Sequence, residues 1–290
     1  MSTESKVFLI TGSSRGLGRE IARAALLDGN RVVATARRPE QVQDLVDTFG
    51  DAVRTVPLDV TDPIAATSAV RTAVDEFGRL DVLVNNAGYA DLVSIEDVTL
   101  ESFRAQVETN LFGVVTMTKA ALPVLRVQGS GHIVQISSVG GRVASVGLGA
   151  YQAAKWAVGG FSEVLAKEVA QLGIAVTILE PGGMRTDWAG SSMSIPPISQ
   201  PYEATVGARA RMIREGKSAL ASDPAKVAQV VLHVVAMPDP PLRLLVGTDA
   251  FTYATKAAED RLVTDRTLRE LSVSTDHDES TAADLDPLGG

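Results

Sequence analysis

The fold is decided near the start of the chain, by the stretch Val7-Phe-Leu-Ile-Thr-Gly-Ser-Ser-Arg-Gly-Leu-Gly18. Its first four residues are apolar and are followed by polar ones, which predicts a short buried strand. After the glycines, Leu17, Ile21 and Ala24 recur at helical spacing up to Gly29. Three glycines let the backbone turn sharply, and the free N–H groups at the helix start suit a pyrophosphate. We therefore expect a nucleotide-binding turn here, with a glycine-rich turn that binds nothing as the alternative.

Composition agrees with a buried sheet. The chain has 290 residues, of which 45% are apolar and only 4% are aromatic, so Val, Ala, Leu and Ile must form most of the core. Such a core suits a parallel sheet covered by Ala-rich helices. The net charge of −8 argues against a surface that binds nucleic acid or an anionic membrane. The composition therefore predicts a small-molecule ligand.

Cysteine and histidine usage narrows the chemistry further. The chain has no Cys, which excludes disulfides and thiol sites, and its three His are far apart in the sequence. No metal site is predicted. The short apolar run at 7–10 is too brief for a signal peptide, and no run approaches the roughly 18 apolar residues of a membrane helix. We therefore expect a soluble, cytoplasmic protein.

Strands and helices alternate along most of the chain. The apolar runs predict strands at 7–10, 31–36, 52–58, 80–84, 132–136, 175–179 and 242–246. Helical patterns predict helices at 39–49, 63–77, 99–126, 150–172, 223–237 and 249–271. This alternation calls for a parallel sheet with right-handed crossovers, which binds ligands at the carboxyl ends of its strands. With no linker between large halves, we expect one domain over residues 1–272.

Polar residues follow three of these strands. Asp59, with Val60, and Asn86 stand at carboxyl ends, where they could touch an adenine or ribose. Asn86 could equally close a turn, as Asn often does. The second strand ends in Ala36 followed by Arg37, and a basic residue at this place favours a ribose 2′-phosphate where a carboxylate favours a free hydroxyl. The alternative for Arg37 is a solvated charge at the end of a strand.

The segment 138–155 carries the candidate chemistry. Tyr151 and Lys155 lie four residues apart at the start of a predicted helix, hence on one face. An ammonium about 4 Å from a phenol could lower the phenol pKa from ~10 by about three units. The pair could then work as an acid and base near neutrality. A chance pairing of a packed Tyr with a surface Lys, and a Ser138 that is only a turn residue, are the alternatives.

Two further features call for an explanation. Asn110 interrupts a predicted helix, where Asn is a poor interior residue, so it is either exposed or buried with a partner. Residues 184–222 lose the strand and helix rhythm, and we interpret them as a lid with a helix near 203–215. Met184 and Trp188 of this lid suggest an apolar substrate, although they could instead pack the lid onto the core. Residues 273–290 are predicted to be a disordered acidic tail.

Taken together, the motifs of residues 6–250 resemble the short-chain dehydrogenase/reductase family. The motifs are Thr11-Gly-Ser-Ser-Arg-Gly-Leu-Gly18, Asn85-Asn-Ala-Gly88, Ser138, Tyr151-x-x-x-Lys155, and Pro181-Gly182 with Thr186. The resemblance implies a doubly wound, seven-stranded parallel sheet and reversible carbonyl reduction with a nicotinamide cofactor. It implies the NADP(H) form of the cofactor for two reasons. Ala36 stands where NAD-preferring members carry Asp, and the basic residues Arg15 and Arg37 lie nearby. NAD(H) is the less favoured alternative.

The resemblance also assigns roles. Tyr151 would exchange a proton with the carbonyl oxygen, Lys155 would lower the pKa of Tyr151 and hold the nicotinamide ribose, and Ser138 would hydrogen-bond the reacting oxygen. Asn110 would hold a water that links Lys155 to solvent. The implied cofactor residues are Gly12, Ser14, Arg15, Gly16, Leu17, Gly18, Arg37, Asp59, Val60, Asn86, Ala87, Gly88, Tyr151, Lys155, Pro181, Gly182 and Thr186.

The motifs say less about the residues that contact substrate and about the oligomeric state than about the cofactor site. Ser138, Tyr151, Met184 and Trp188 are the candidates for contact with substrate. Members of the family often pair through the helices that hold Asn110 and Tyr151, which implies a homodimer or homotetramer. A protein that only senses NADP(H) and regulates a partner is the alternative function, and the complete set of four catalytic-type residues argues against it.

Overall fold

Strands and helices alternate in the structure, a computed structural model that describes residues 5–184, 193–216, 221–281 and 284. The strands are β1 Val7–Ile10, β2 Arg31–Ala36, β3 Val53–Pro57, β4 Val82–Asn85, β5 Ala90–Asp91, β6 Gly131–Ile136, β7 Ile174–Pro181, β8 Met193–Ser194 and β9 Arg243–Val246. The helices are α1 Gly16–Leu27, α2 Gln43–Phe49, α3 Pro63–Phe77, α4 Leu100–Val107, α5 Gly113–Gln128, α6 Gly149–Val169, α7 Ala208–Arg214, α8 Pro224–Ala236, α9 Thr248–Thr267 and α10 Arg269–Val273.

Seven strands form one sheet in the order β3-β2-β1-β4-β6-β7-β9. Every neighbouring pair is parallel. The order reverses direction between β1 and β4, so the carboxyl ends of these strands open a crevice where a ligand can bind. The doubly wound, seven-stranded parallel sheet that the sequence predicts is confirmed.

The sheet is buried on both faces. Side chains alternate along β1, so that Phe8 and Ile10 join the core cluster under α1 and α8, and Val7 and Leu9 join the cluster under α3 and α5. Both clusters consist mainly of Val, Leu, Ile and Ala, as the low aromatic content predicts. Two apolar faces explain why the strands appear in the sequence as continuous apolar runs.

Helix ends follow their capping residues. Asp62 accepts the N–H groups of Ile64 and Ala65 at the start of α3, and Asp223 accepts that of Ala225 at the start of α8. Both helices then begin with Pro, whose missing N–H costs nothing in the first turn. Capping by Asp223, and by Thr99 before α4, is confirmed.

The helix predicted over 99–126 contains a π-helical turn in its middle. A π-helical turn, Glu108–Phe112, separates α4 from α5, and Asn110 lies within it and is fully buried. Such turns insert a residue into an α-helix and occur often at functional sites. The long helix with Asn110 in its middle is therefore confirmed, as is the buried alternative for Asn110.

The described part of the lid, residues 193–216, is ordered into short elements. β8 pairs in parallel with β5, and a helical turn, Glu203–Gly207, leads into α7, close to the helix predicted at 203–215. Thr186 and Trp188 lie outside the described residues. The tail and the domain boundary at 272 stay predictions. None of the helices in the described ranges is both long and apolar enough to span a membrane.

Candidate active site

A cleft of about 1590 Å³ runs along the carboxyl edge of the sheet. The predicted residues that line it are Gly12, Ser14, Arg15, Gly16, Leu17, Arg37, Asp59, Val60, Asn86, Ala87, Gly88, Ser138, Tyr151, Lys155, Pro181, Gly182 and Met184. Two predicted residues, Gly18 and Asn110, lie behind this lining and act through their neighbours. The strand order thus brings residues from distant parts of the sequence to one edge.

The glycine turn is shaped by what packs behind it. The Asn86 side chain donates from Nδ2 to the carbonyl oxygens of Thr11 (2.9 Å) and Gly12 (3.2 Å). A Cβ on Gly18 would lie 2.3 Å from that Nδ2 and 2.5 Å from the Gly12 oxygen. The turn therefore needs Gly18 for close packing against Asn86, and Asn86 does close a turn while it also lines the cleft.

Thr11 is a site residue that the sequence interpretation missed. Its hydroxyl oxygen accepts the backbone N–H groups of Asn86 (2.9 Å) and Ala87 (3.0 Å). It thereby fastens the end of β1 to the end of β4, across the point where the strand order reverses. The hint in the sequence was its place directly after a buried strand and directly before the first glycine of the turn.

The start of α1 suits an anion. Arg15 stands at the N-cap position in extended conformation, and its own side chain does not cap the helix. The first-turn N–H groups and the positive end of the helix dipole lie beside the cleft lining formed by Gly16 and Leu17. These residues fit the pyrophosphate of a dinucleotide.

Positive charge lies at the outer end of the cleft. Arg37 and Arg38 follow β2 and line the cleft together with Arg15. Asp59 accepts from the backbone N–H and the hydroxyl of Thr61, and these bonds together with the Arg37 charge hold its pKa below the usual range. Arg37 therefore lies near Asp59 and lines the cleft beside it.

At the inner end, Tyr151 is buried and paired with Ser138. Burial raises the pKa of Tyr151 to about 12, and the hydrogen bond with Ser138 offsets only part of that rise. The Ser138 hydroxyl oxygen also accepts the Gly140 N–H at 3.0 Å, which orients it. Burial therefore dominates the pKa of Tyr151 in this structure, and the lowering by Lys155 that the sequence analysis expects stays a prediction.

Lys155 is buried one helical turn away. Its Nζ lies 5.7 Å from the centre of the Tyr151 ring and donates to the Ile136 carbonyl oxygen at 2.8 Å. Burial lowers the pKa of Lys155 to about 8. An ammonium has three donors, so this bond leaves capacity for hydroxyl groups of a ligand in the cleft.

Asn110 anchors the loop that follows β4. Its Nδ2 donates to the carbonyl oxygens of Tyr89 and Gln106, both at 2.9 Å, and its Oδ1 accepts the Tyr89 N–H at 3.1 Å. A Cβ on Gly88 would lie 2.5 Å from that Oδ1, so the loop approaches Asn110 closely. The water-holding role implied by the family resemblance stays a prediction.

The rim formed by Pro181, Gly182 and Met184 is held from behind. Glu180, fully buried, pairs with Arg142 (2.5 Å) and Arg243 (2.6 Å), which neutralises its charge. Asp249 in the first turn of α9 accepts the Gly183 N–H at 2.7 Å. Neither anchor stands in a motif, and both depend on pairing across distant elements, so no pattern in the sequence points to them.

Comparison with known proteins agrees with this geometry. Residues 6–194 match the sequence profile of the short chain dehydrogenase family. The oxidoreductase BOA17 of Botryotinia fuckeliana (strain B05.10) is 56% identical over 271 residues, which are 93% of this chain and 99% of that protein.

Solved structures of short-chain dehydrogenases have the same fold as this chain. The crystal structure of a short-chain dehydrogenase from Streptomyces avermitilis has a TM-score of 0.88 at 36% identity, over 94% of this chain and 100% of that one. A short chain dehydrogenase from Burkholderia cenocepacia J2315, in complex with NADP, has a TM-score of 0.72 at 26% identity, over 92% of this chain and 99% of that one. The chain described here belongs to the short-chain dehydrogenase family of oxidoreductases.

Proposed function

We propose that this protein is an NADP(H)-dependent oxidoreductase that interconverts a ketone or aldehyde and the corresponding alcohol. The observation that carries the proposal is that Ser138 meets the buried side chains of Tyr151 and Lys155 at the inner end of a cleft whose outer end is basic. When bound, NADPH would supply a hydride to the carbonyl carbon, and this chain would supply the proton and the positioning.

Tyr151 is suited to give that proton. With a pKa of about 12 it is fully protonated at neutral pH, yet a phenol still protonates an alkoxide, which is a far stronger base. Ser138 donates to the same oxygen as negative charge develops on it. Lys155, charged below about pH 8, stabilises that charge and can hydrogen-bond a ribose hydroxyl.

The preference for NADP(H) rests on Arg15, Arg37 and Arg38 around the outer cleft and on the absence of a carboxylate at Ala36, where β2 ends. An Arg guanidinium binds phosphate oxygens through paired, charge-assisted hydrogen bonds. The Burkholderia relative that binds NADP is in line with this preference. We also propose a homodimer or homotetramer and a cytoplasmic location.

The test is Tyr151→Phe, assayed with a panel of ketones and aldehydes by the change in NADPH absorbance. We expect turnover to fall at least about a hundredfold, the usual scale for loss of a general acid, with the NADPH dissociation constant within about threefold. Tyr253→Phe is the matched control, because it removes the same hydroxyl from an exposed side chain on α9.

Near wild-type turnover in Tyr151→Phe would contradict the proposed proton donor. Tight NADPH binding by the wild type without turnover of any carbonyl in the panel would favour the sensing function instead.

A further inference from the structure

Two buried amide side chains on one helix face the segment Tyr89–Asp91. Gln106 in α4 and Asn110 in the following π turn are four residues apart, and both are 0% exposed. The Asn110 side chain also donates to the backbone carbonyl oxygen of Gln106, one helical turn earlier. Asn110 belongs to the family pattern, whereas Gln106 belongs to no motif identified in the sequence.

The two amides hold alternate residues of the segment in the same manner. Asn110 bonds both the N–H and the carbonyl oxygen of Tyr89. Gln106 accepts the Asp91 N–H on Oε1 at 3.0 Å and donates from Nε2 to Asp91 Oδ2 at 3.1 Å. Ser102, one turn earlier, donates to the same carboxylate oxygen at 2.7 Å. Each amide thus accepts a backbone N–H along this edge, as a neighbouring strand would, and Gln106 in addition holds the Asp91 carboxylate.

The opposite edge of the segment holds the substrate lid. In an extended chain, backbone groups of successive residues point to opposite edges. Ala90 pairs with Met193, Asp91 pairs with Ser194, and the Leu92 N–H donates to the Ser194 carbonyl oxygen at 2.8 Å. The segment is therefore clamped by Gln106 and Asn110 on one side and bonded to β8 on the other.

β8 places the lid beside the proposed proton donor. Met193 is buried, lines the cleft, and shares an apolar cluster with Tyr151, Leu148 and Leu92. Since β5 and β8 are only two residues long, their register depends on how firmly the Tyr89–Asp91 segment is held.

We propose that Gln106 is a positioning residue that sets the site for the carbonyl substrate, by holding Asp91 so that β8 keeps Met193 over the inner cleft. This inference rests on the proposed function for the nature of the substrate. Gln106 touches neither the cleft lining of the glycine turn nor Tyr151, so it acts on substrate affinity and leaves cofactor binding to Thr11 and Asn86.

The experiment compares Gln106→Met with Gln128→Met. Gln128, at the end of α5, makes the same kind of clamp on Leu80, accepting its N–H at 3.0 Å and donating to its carbonyl oxygen at 2.7 Å. That clamp lies at the start of β4, at the amino edge of the sheet and away from the cleft. Both variants lose two hydrogen bonds and keep a side chain of similar length.

We expect Gln106→Met to raise KM for the carbonyl substrate about tenfold or more, with kcat within about threefold and the NADPH dissociation constant within about twofold. Hydrogen–deuterium exchange should become faster at residues 193–199 in this variant. In Gln128→Met both KM and exchange at 193–199 should stay at wild-type values. Equal changes in the two variants, or no change in either, would overturn the proposal.

Two further measurements keep the test decisive. If Gln106→Met does not fold, Asp91→Ala removes the carboxylate from the other end of the contact. This variant should raise KM and the rate of exchange at residues 193–199 in the same way. An unchanged exchange rate at these residues would overturn the proposal. If the wild type reduces no carbonyl, the proposed function fails, and the exchange measurements still decide whether Gln106 holds the lid.

Discussion

Gly78 and Gly18, at opposite edges of the sheet, are glycines for different physical reasons. At the amino edge, Gly78 ends α3 with a φ of +81°, and a Cβ there would meet nothing within 4 Å. At the carboxyl edge, Gly18 has no positive φ, but a Cβ there would lie 2.5 Å from the Gly12 carbonyl oxygen. Gly78 thus provides backbone freedom, whereas Gly18 provides the small size that lets α1 pack against Gly12 and Asn86.

The polar side chains at the two edges differ in what they contact. Near the amino edge, Asp81 accepts the Val7 N–H at 2.8 Å and pairs with Arg79 at 2.7 Å, so it joins neighbouring strands. At the carboxyl edge, Ser138 and Lys155 each bond the backbone once and still face the cleft. Substitutions at the amino edge should therefore change stability, and those at the carboxyl edge should change binding and turnover.

The largest effect on cofactor binding should come from Gly18→Ala. The added methyl would press on a backbone oxygen, which cannot move without displacing the glycine turn, so overpacking of about 3 kcal/mol is expected. This corresponds to about a hundredfold loss of NADPH affinity, measurable by fluorescence titration.

Gly78→Ala is the matched control for the other edge. A left-handed Ala costs about 1–2 kcal/mol, which urea denaturation should detect, while NADPH affinity stays at the wild-type value. If the two variants lost NADPH affinity equally, the distinction between the edges would be wrong.

The sequence was enough to predict the structure where a local pattern of residues determines it. The strand, glycine turn and helix of residues 7–27 need only apolar runs and glycines in order, and the parallel sheet follows from repeated alternation. The positions of Ser138, Tyr151 and Lys155 beside the turn then follow, because the carboxyl ends of parallel strands share one edge.

Long-range contacts explain what the sequence did not reveal. The clamp of Gln106 on Asp91 and the bond from Gly183 to Asp249 join residues that no spacing rule connects. The π turn around Asn110 and the bonds between the Asn110 side chain and Tyr89 leave no mark on the helical pattern of the sequence. The pKa of Tyr151 depends on burial and on the hydrogen bond with Ser138, and the sequence shows neither.

A smaller effect is expected from charge reversal at the two ends of β2. Arg37→Asp, at the carboxyl end, should weaken NADPH binding by about tenfold or more relative to NADH, since charge-assisted bonds to a phosphate contribute about 1.5–3 kcal/mol. Arg31→Asp makes the same change at the exposed amino end of the strand, where Arg31 lies over the Phe77 ring. Dissociation constants of both nucleotides for both variants provide the measurement.

Arg31→Asp should alter the affinities for NADPH and NADH by equal, small factors. Equal losses for the two nucleotides in Arg37→Asp would show that Arg37 does not meet the 2′-phosphate.

The smallest effect on activity, none at neutral pH, is expected at His132, where β6 begins at the amino edge. Burial, with a minor contribution from the Lys6 charge, lowers the pKa of His132 to about 4, and its Nε2 lies 2.9 Å from the Thr177 hydroxyl. The unfolded chain binds this proton near pH ~6.5, whereas the folded chain binds it only near pH 4. His132 therefore lowers the free energy of unfolding by about 3 kcal/mol as the pH drops from 6.5 to 4, and has no effect on it above pH 6.5. In His132→Gln, which keeps a donor for Thr177, urea denaturation should show that much less dependence of stability on pH, with unchanged turnover at pH 7.5. An unaltered pH dependence would mean that His132 is charged in the folded protein, and a loss of turnover would mean that the two edges of the sheet are coupled.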